Sequence, residues 1–267
     1  TNIIMYKSFK VSNMWRTFQW MLFSNRRQLT IFFIGIIIAT FVGGELSFMS
    51  YLYVSDANIP NRMPNDSGSF FFAFLGLSWG LWMLYGASQL FDFMKHKQSA
   101  ITYLMHPATM LEKFVARLIY VSLLWAVIGG VGIFIGDFLS WGINTLFFDN
   151  NGTMAVVFFW KNVFVPLGHL IFNYQDFYFV LFLTNVMSFW IYTLYLLGSA
   201  VFRRHRLLLT TACVVFIMVS LTISDVIEDD KAGVATLIFL MLSVANIVGS
   251  YMLFKRMQVI NNKWLNI

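Results

Sequence analysis

The stretch LIYVSLLWAVIGGVGIFIG, residues 118–136, contains no charged side chain and no proline. About 18 or more such residues in succession make a helix long enough to cross the hydrocarbon layer of a bilayer. One run of this kind could also be the core helix of a water-soluble protein. Five more stand beside it: residues 28–44 (continuing past Glu45 to 54), 70–91, 177–202, 207–224 and 232–254. Six in a chain of 267 residues leave no room for a soluble core. Lipid offers backbone groups no hydrogen-bond partner, so these runs are expected to be helices. The strands of a barrel would alternate polar with apolar residues, and these do not.

Composition agrees. Apolar residues make up 59% and charged residues 11%, where soluble domains average about 45–50% and about 25%. The single cysteine, Cys213, lies inside an apolar run, so no disulfide framework is expected. The basic N-terminal region leads into a run too long for a cleavable signal, with no small-residue cleavage site after it.

The basic residues orient the spans. Lys7, Lys10, Arg16, Arg26 and Arg27 precede the first, and Lys95, Lys97, Lys113 and Arg117 lie between the second and third. Arg203, Arg204 and Arg206 lie between the fourth and fifth; Lys255, Arg256 and Lys263 follow the sixth. The opposite side holds only Arg62, Lys161 and Lys231 of the 18 basic residues. Positive charge gathers on the cytoplasmic side, so both termini are expected there. The net charge of +6 beside membrane helices suits anionic lipid head groups rather than nucleic acid.

The expected fold is therefore an all-α membrane protein with six transmembrane helices, both termini inside. The spans fall at about 28–54, 70–94, 115–146, 177–202, 207–224 and 232–254, followed by a cytoplasmic tail, 255–267. Residues 1–27 form an N-terminal interfacial segment. Within it Val11, Met14, Trp15, Phe18, Met21 and Leu22 share one helical face, opposite Lys10, Asn13, Arg16 and Thr17. Residues 149–176 make the longest outer loop, with two apolar pieces too short to span.

The loop at 95–117 carries the most local information. Ile101, Leu104 and Met105 form a short apolar face, and Pro107 must break any continuous helix. Thr109 with Glu112 three residues on is a capping box for a new helix that runs into the third span. A short helix, a proline break and a capped restart make a rigid elbow. The stretch from Leu104 to Phe114, LMHPATMLEKF, resembles the L-P-A-(S/T)-x-x-E-K-(F/L) segment of type-2 ABC transporter permeases. The topology and the amphipathic N-terminal helix resemble that family over most of the chain. His106 departs from it, as does the placing of most outer sequence between spans three and four.

The resemblance implies a membrane-spanning exporter subunit in the bacterial inner membrane. Two permease chains, identical or homologous, would pair with cytoplasmic ABC ATPase subunits that carry ATP and Mg. Ile101, Leu104, Met105, His106, Pro107, Glu112 and Lys113 would couple this chain to the ATPase. The chain itself has no Walker motif, no hydrolase motif and no metal-ligand spacing, so neither a catalytic residue nor a cofactor of its own is expected. Glu45, 18 residues after Arg27, is the acidic residue expected to face a translocation cavity. Gly76 with Gly80, and Gly132 with Gly136, have the spacing for close helix packing. Two other classes compete: a scaffold or sensor that binds a partner through outer loop 149–176, and an intramembrane enzyme whose polar residues converge from distant helices.

Overall fold

The computed structural model describes residues 9–56, 66–95, 97–148, 175–202, 205–223 and 232–256. Residues 149–174 of the loop expected on the outer side, the loop at 225–231 and the tail beyond 256 lie outside them. The described chain is almost wholly helical: α1 Val11–Ser24, α2 Arg26–Asp56, α3 Asp66–Ser88, α4 Lys97–Met105, α5 Met110–Ile119, α6 Trp125–Phe148, α7 Gln175–Val201, α8 Arg206–Ile223 and α9 Ala232–Arg256. A 3-10 turn, Asp92–Lys95, precedes α4, and a π-helical turn, Tyr120–Leu124, joins α5 to α6. Each of the six apolar stretches forms a helix.

Three continuous helical runs are long and apolar enough to cross a membrane: Arg26–Leu46, Met110–Phe147 and Gly233–Arg256. Their exposure pattern is inverted relative to a protein solvated by water. On α9, Val234, Leu237, Met241, Val244 and Val248 point outward while Thr236, Ser243, Asn246 and Ser250 are buried. On α2, Ile31, Ile34, Ile38 and Val42 are exposed while Thr40 is not. Apolar outside and hydroxyl or amide inside is consistent with lipid as the solvent, where polar side chains find partners only within the protein.

The chain divides into two compact units. One comprises Thr1–Ser24, Met83–Leu124 and Phe179–Ile267; the other, Asn25–Trp82 and Trp125–Tyr178. In the first, α7 runs parallel to α9. Trp190 packs at a tilt against Phe239 with ring centroids 4.8 Å apart, and Asn246 donates to Thr193 Oγ1 at 3.2 Å. α8 returns antiparallel to α7, where the Tyr195 and Thr211 hydroxyls are 2.8 Å apart. These hydroxyl and amide contacts are the directional part of an otherwise apolar seam.

In the second unit α2 runs parallel to α6, and glycines set how close they come. A Cβ on Gly136 would sit 2.7 Å from Thr40 Cβ and 2.8 Å from the Ile37 carbonyl oxygen, so only glycine fits. Gly132 lies against Ile36 in the same way. Gly76 and Gly80 differ: a Cβ on either meets no atom within 4 Å, so their spacing does not produce a close approach among the described residues. The seam also contains Trp82, whose indole N–H donates to the Trp125 carbonyl at 2.8 Å.

Candidate functional site

The elbow lies in the first unit, and its parts follow from local sequence. Helix α4 ends at Met105, one residue short of the position that Pro107 forces out of the helical region. The chain turns through His106, Pro107 and Ala108, with the Ala108 N–H bonded back to the His106 carbonyl at 2.8 Å. Thr109 then caps α5 with extended backbone (φ −68°, ψ 159°). Its hydroxyl accepts from the Glu112 N–H at 3.3 Å, and Glu112 Oε2 accepts from the Thr109 N–H at 2.8 Å. The capping box expected from the spacing is complete.

Glu112 does more than cap its own helix. Its other oxygen, Oε1, accepts the backbone N–H of Lys10 at 2.6 Å, immediately before the first residue of α1. One fully buried carboxylate thus holds the start of two helices, where the helix dipole favours negative charge. The next two charges on α5 act at the opposite kind of end. Lys113 Nζ donates to the Leu104 carbonyl at 2.6 Å, at the C-terminal turn of α4. Arg117 donates through Nε to the Leu90 carbonyl (2.9 Å) and through Nη2 to that of Gln89 (3.1 Å), just past the end of α3. Cations at helix C-termini answer unpaired carbonyls and the negative end of the dipole. Three charges on the first turns of α5 therefore tie together four helix ends.

Aromatic packing stiffens the joint. Tyr103 is 1% exposed; its hydroxyl donates to the Lys113 carbonyl at 2.8 Å, so α4 and α5 clamp each other in both directions. Burial pushes the Tyr103 phenol well above its usual pKa, against the opposing pull of the Arg117 charge, which keeps that donor protonated. Its ring meets Phe93 at 4.2 Å, and Phe114 and Phe254 complete the cluster, bringing the end of α9 against the elbow. The Arg117 guanidinium lies over Phe93 and Tyr120, at 5.3 and 5.4 Å from their centroids, and its Nη1 approaches Met21 Sδ at 3.6 Å.

Helix α1 docks on the elbow through part of its apolar stripe and one residue of the polar face. Thr17, Phe18 and Met21 are buried, whereas Val11 and Trp15 of the apolar stripe are 64% and 51% exposed. The reason is polar: Asn13, Thr17 and the Lys10 backbone supply what Glu112 and His106 need. Thr17 gives its hydroxyl proton to the Asn13 carbonyl (2.8 Å), and its oxygen lies 3.3 Å from His106 Nδ1. Burial and the Lys113 charge hold His106 below its ordinary pKa, favouring the neutral form.

Of the residues assigned to coupling, Ile101 and Met105 face outward, Met105 at 78% exposure, and Pro107 is exposed. Leu104 and His106 are half-buried; Glu112 and Lys113 are buried and act inside the joint rather than at its edge. Glu45 lies elsewhere, in the second unit, where its Oε1 accepts from Ser140 Oγ at 2.9 Å and more weakly from Asn144 Nδ2 at 3.4 Å. Asp92 pairs with Arg206 at 3.9 Å. Sequence reading gave Arg117, Tyr103, Thr17 and Lys10 no role in the joint. The signal for Arg117 was its position, the last charge before a long apolar run.

Among the described residues no cluster of His, Cys, Asp or Glu has the makings of a metal site. No protein-family signature, curated protein or solved structure matches the chain.

Proposed function

We propose that this chain is the membrane-spanning permease subunit of an ABC-type exporter, with six spans, both termini cytoplasmic, in a bacterial inner membrane. The observation that carries the reading is the elbow. It is a rigid polar joint, tied to four helix ends, that offers an apolar, outward-facing ridge at Ile101 and Met105. A cytoplasmic ATPase subunit, holding ATP and Mg, would grip that ridge. Motion of α4 would pass through Lys113 and Tyr103 into α5, because both ends of that contact are hydrogen-bonded. The run Met110–Phe147, 38 residues, is about 57 Å long at 1.5 Å per residue. That exceeds the roughly 30 Å hydrocarbon core, so its first turns would stand outside the bilayer, within a motor's reach. The π-helical turn at Tyr120–Leu124 would be the place where α5 yields relative to α6, since such irregular turns are frequent at functional sites. The exposed Val11 and Trp15 of α1 would rest among lipid head groups.

A second permease chain, identical or homologous, would complete the transporter, and Glu45 would line the translocation path. Copurification tests the reading. Tagged full-length chain, extracted in mild detergent, should bring down an ABC ATPase, and Met105→Asp with Ile101→Asp should abolish that capture while leaving the chain folded. Capture of no ATPase, or capture indifferent to both changes, would sink it.

A further inference from the structure

The α2–α6 seam contains a polar cluster whose groups are not matched to one another. Glu45 is half-buried on α2, and Ser140 and Asn144 face it from α6, one turn apart. Among the described residues no Lys or Arg forms an ion pair with Glu45, and neither α2 beyond Arg27 nor α6 contains a basic residue. A bare carboxylate at a membrane helix costs at least about 2.5–3.5 kcal/mol near the centre. Two neutral donors, one of them long, are a poor answer to that charge. Asn144 is 8% exposed, and its Oδ1 has no hydrogen-bond partner. Thr40 Oγ1, one turn down the same seam and 1% exposed, has none either. A carboxylate with no cation beside it and a buried amide oxygen with no donor leave polar demand that a water or a cation can meet.

Two of the three spacings fit a cation as they stand; the third, 2.9 Å between Glu45 Oε1 and Ser140 Oγ, is a hydrogen bond that would open by about 0.5 Å around the ion. Asn144 Nδ2 is 3.4 Å from both Glu45 Oε1 and Ser140 Oγ, which are 2.9 Å from each other. A half-turn of the Asn144 amide puts Oδ1 where Nδ2 stands, leaving three oxygens on those spacings. Oxygens about 3.4 Å apart are neighbouring corners of an octahedron around an ion at about 2.4 Å, inside the range of roughly 2.3–2.6 Å found for Ca2+. Na+ has nearly the same radius. One carboxylate neutralises one Na+, whereas a divalent ion would leave uncompensated charge in apolar surroundings. The Ser140 proton would turn to the Gly136 carbonyl, the same i−4 bond that Thr145 makes to Trp141 at 2.8 Å. Asp137, buried one turn below Ser140, has partners of its own.

We propose that Glu45, Ser140 and Asn144 form a monovalent cation site selective for Na+, with the carboxylate as its charge and the amide as its gate. The site does not depend on the chain having an ATPase partner.

The test uses the full chain in nanodiscs, with 22Na+ as the probe in sodium-free choline buffer. Wild type should retain about one 22Na+ per chain, displaced by unlabelled NaCl and not by choline chloride. Glu45→Gln should abolish retention, and Asn144→Leu, which keeps the carboxylate, should weaken it at least tenfold. Thermal unfolding should shift upward with NaCl in wild type alone, and unchanged helical circular dichroism would show that each variant folds. If Glu45→Gln does not fold, Asn144→Leu decides. Retention equal in wild type and Asn144→Leu would overturn the site. So would an unfolding temperature that follows pH but ignores Na+, because the carboxyl would then be taking a proton.

Discussion

The elbow and the α2–α6 seam both bury polar groups in a mostly apolar chain, yet they treat them oppositely. At the elbow Glu112, Lys113 and Arg117 each end on backbone groups at a helix terminus, with distances of 2.6–3.1 Å. In the seam Glu45 has one good donor, and Asn144 Oδ1 and Thr40 Oγ1 have no partner. A joint whose charges all end on hydrogen-bond partners is stiff, because any displacement breaks several charge-assisted bonds together. A half-matched cluster has capacity left for a ligand. The elbow is therefore built to transmit movement, and the seam to hold something.

The largest test of that contrast is Arg117→Ala. It strands the carbonyls of Gln89 and Leu90 and removes the cation from over Phe93 and Tyr120, so we expect a loss of about 3 kcal/mol in detergent unfolding, of the size seen when one partner of a buried charged contact is deleted. A change below about 0.5 kcal/mol, the range of ordinary surface substitutions, would break the view of the elbow as a matched joint. Glu112→Ala removes a cap from two helices, at about 1 kcal/mol each. The expected loss is about 2 kcal/mol, with faster amide exchange at the starts of both α1 and α5. Loss of protection in α5 alone would detach α1 from the comparison.

Gly136→Ala should cost about 1–3 kcal/mol through overpacking against Thr40 and Ile37, while Gly76→Ala should gain up to about 1 kcal/mol from helix propensity. Similar effects at both would mean that the seam is no closer than the open face of α3. A smaller effect comes from pH. His106 has a folded pKa below its unfolded value, so its contribution to stability is complete above about pH 6.5 and is lost as pH falls through the folded pKa. Exchange protection of α1 should drop on acidification in wild type and not in His106→Gln. Thr40→Val is expected to change stability by less than about 0.5 kcal/mol in either direction, since it removes a hydroxyl that has no partner. A loss above about 1 kcal/mol would show that the seam is matched after all.

Much of the elbow was legible before the fold, because its defining contacts are local. Pro107 stops a helix by its own ring, and the capping box of Thr109 and Glu112 closes over three residues. The contacts that tie the elbow to the rest are distant in sequence: Glu112 to Lys10 spans 102 positions, and Arg117 to Leu90 spans 27. No periodicity encodes them. The docking face of α1 was not legible for the same reason, since its apolar stripe marks where lipid or protein could lie without saying which. Glycine spacing was equally ambiguous. Gly132-x-x-x-Gly136 meets α2 while Gly76-x-x-x-Gly80 meets nothing within 4 Å.

The sequence by itself determined that this chain is helical, that its long runs are apolar with almost no charge, and that a capped break separates α4 from α5. Those properties follow from residue counts, a 3.6-residue period and hydrogen bonds closing within one turn. Only the tertiary structure decided that one carboxylate starts two helices, that Arg117 ends a third, and that Glu45 shares its seam with an amide oxygen lacking a donor. Apolar attraction has no direction and leaves helices free to meet on any face. The few buried polar atoms do have direction, and their partners become visible only once the helices are in place.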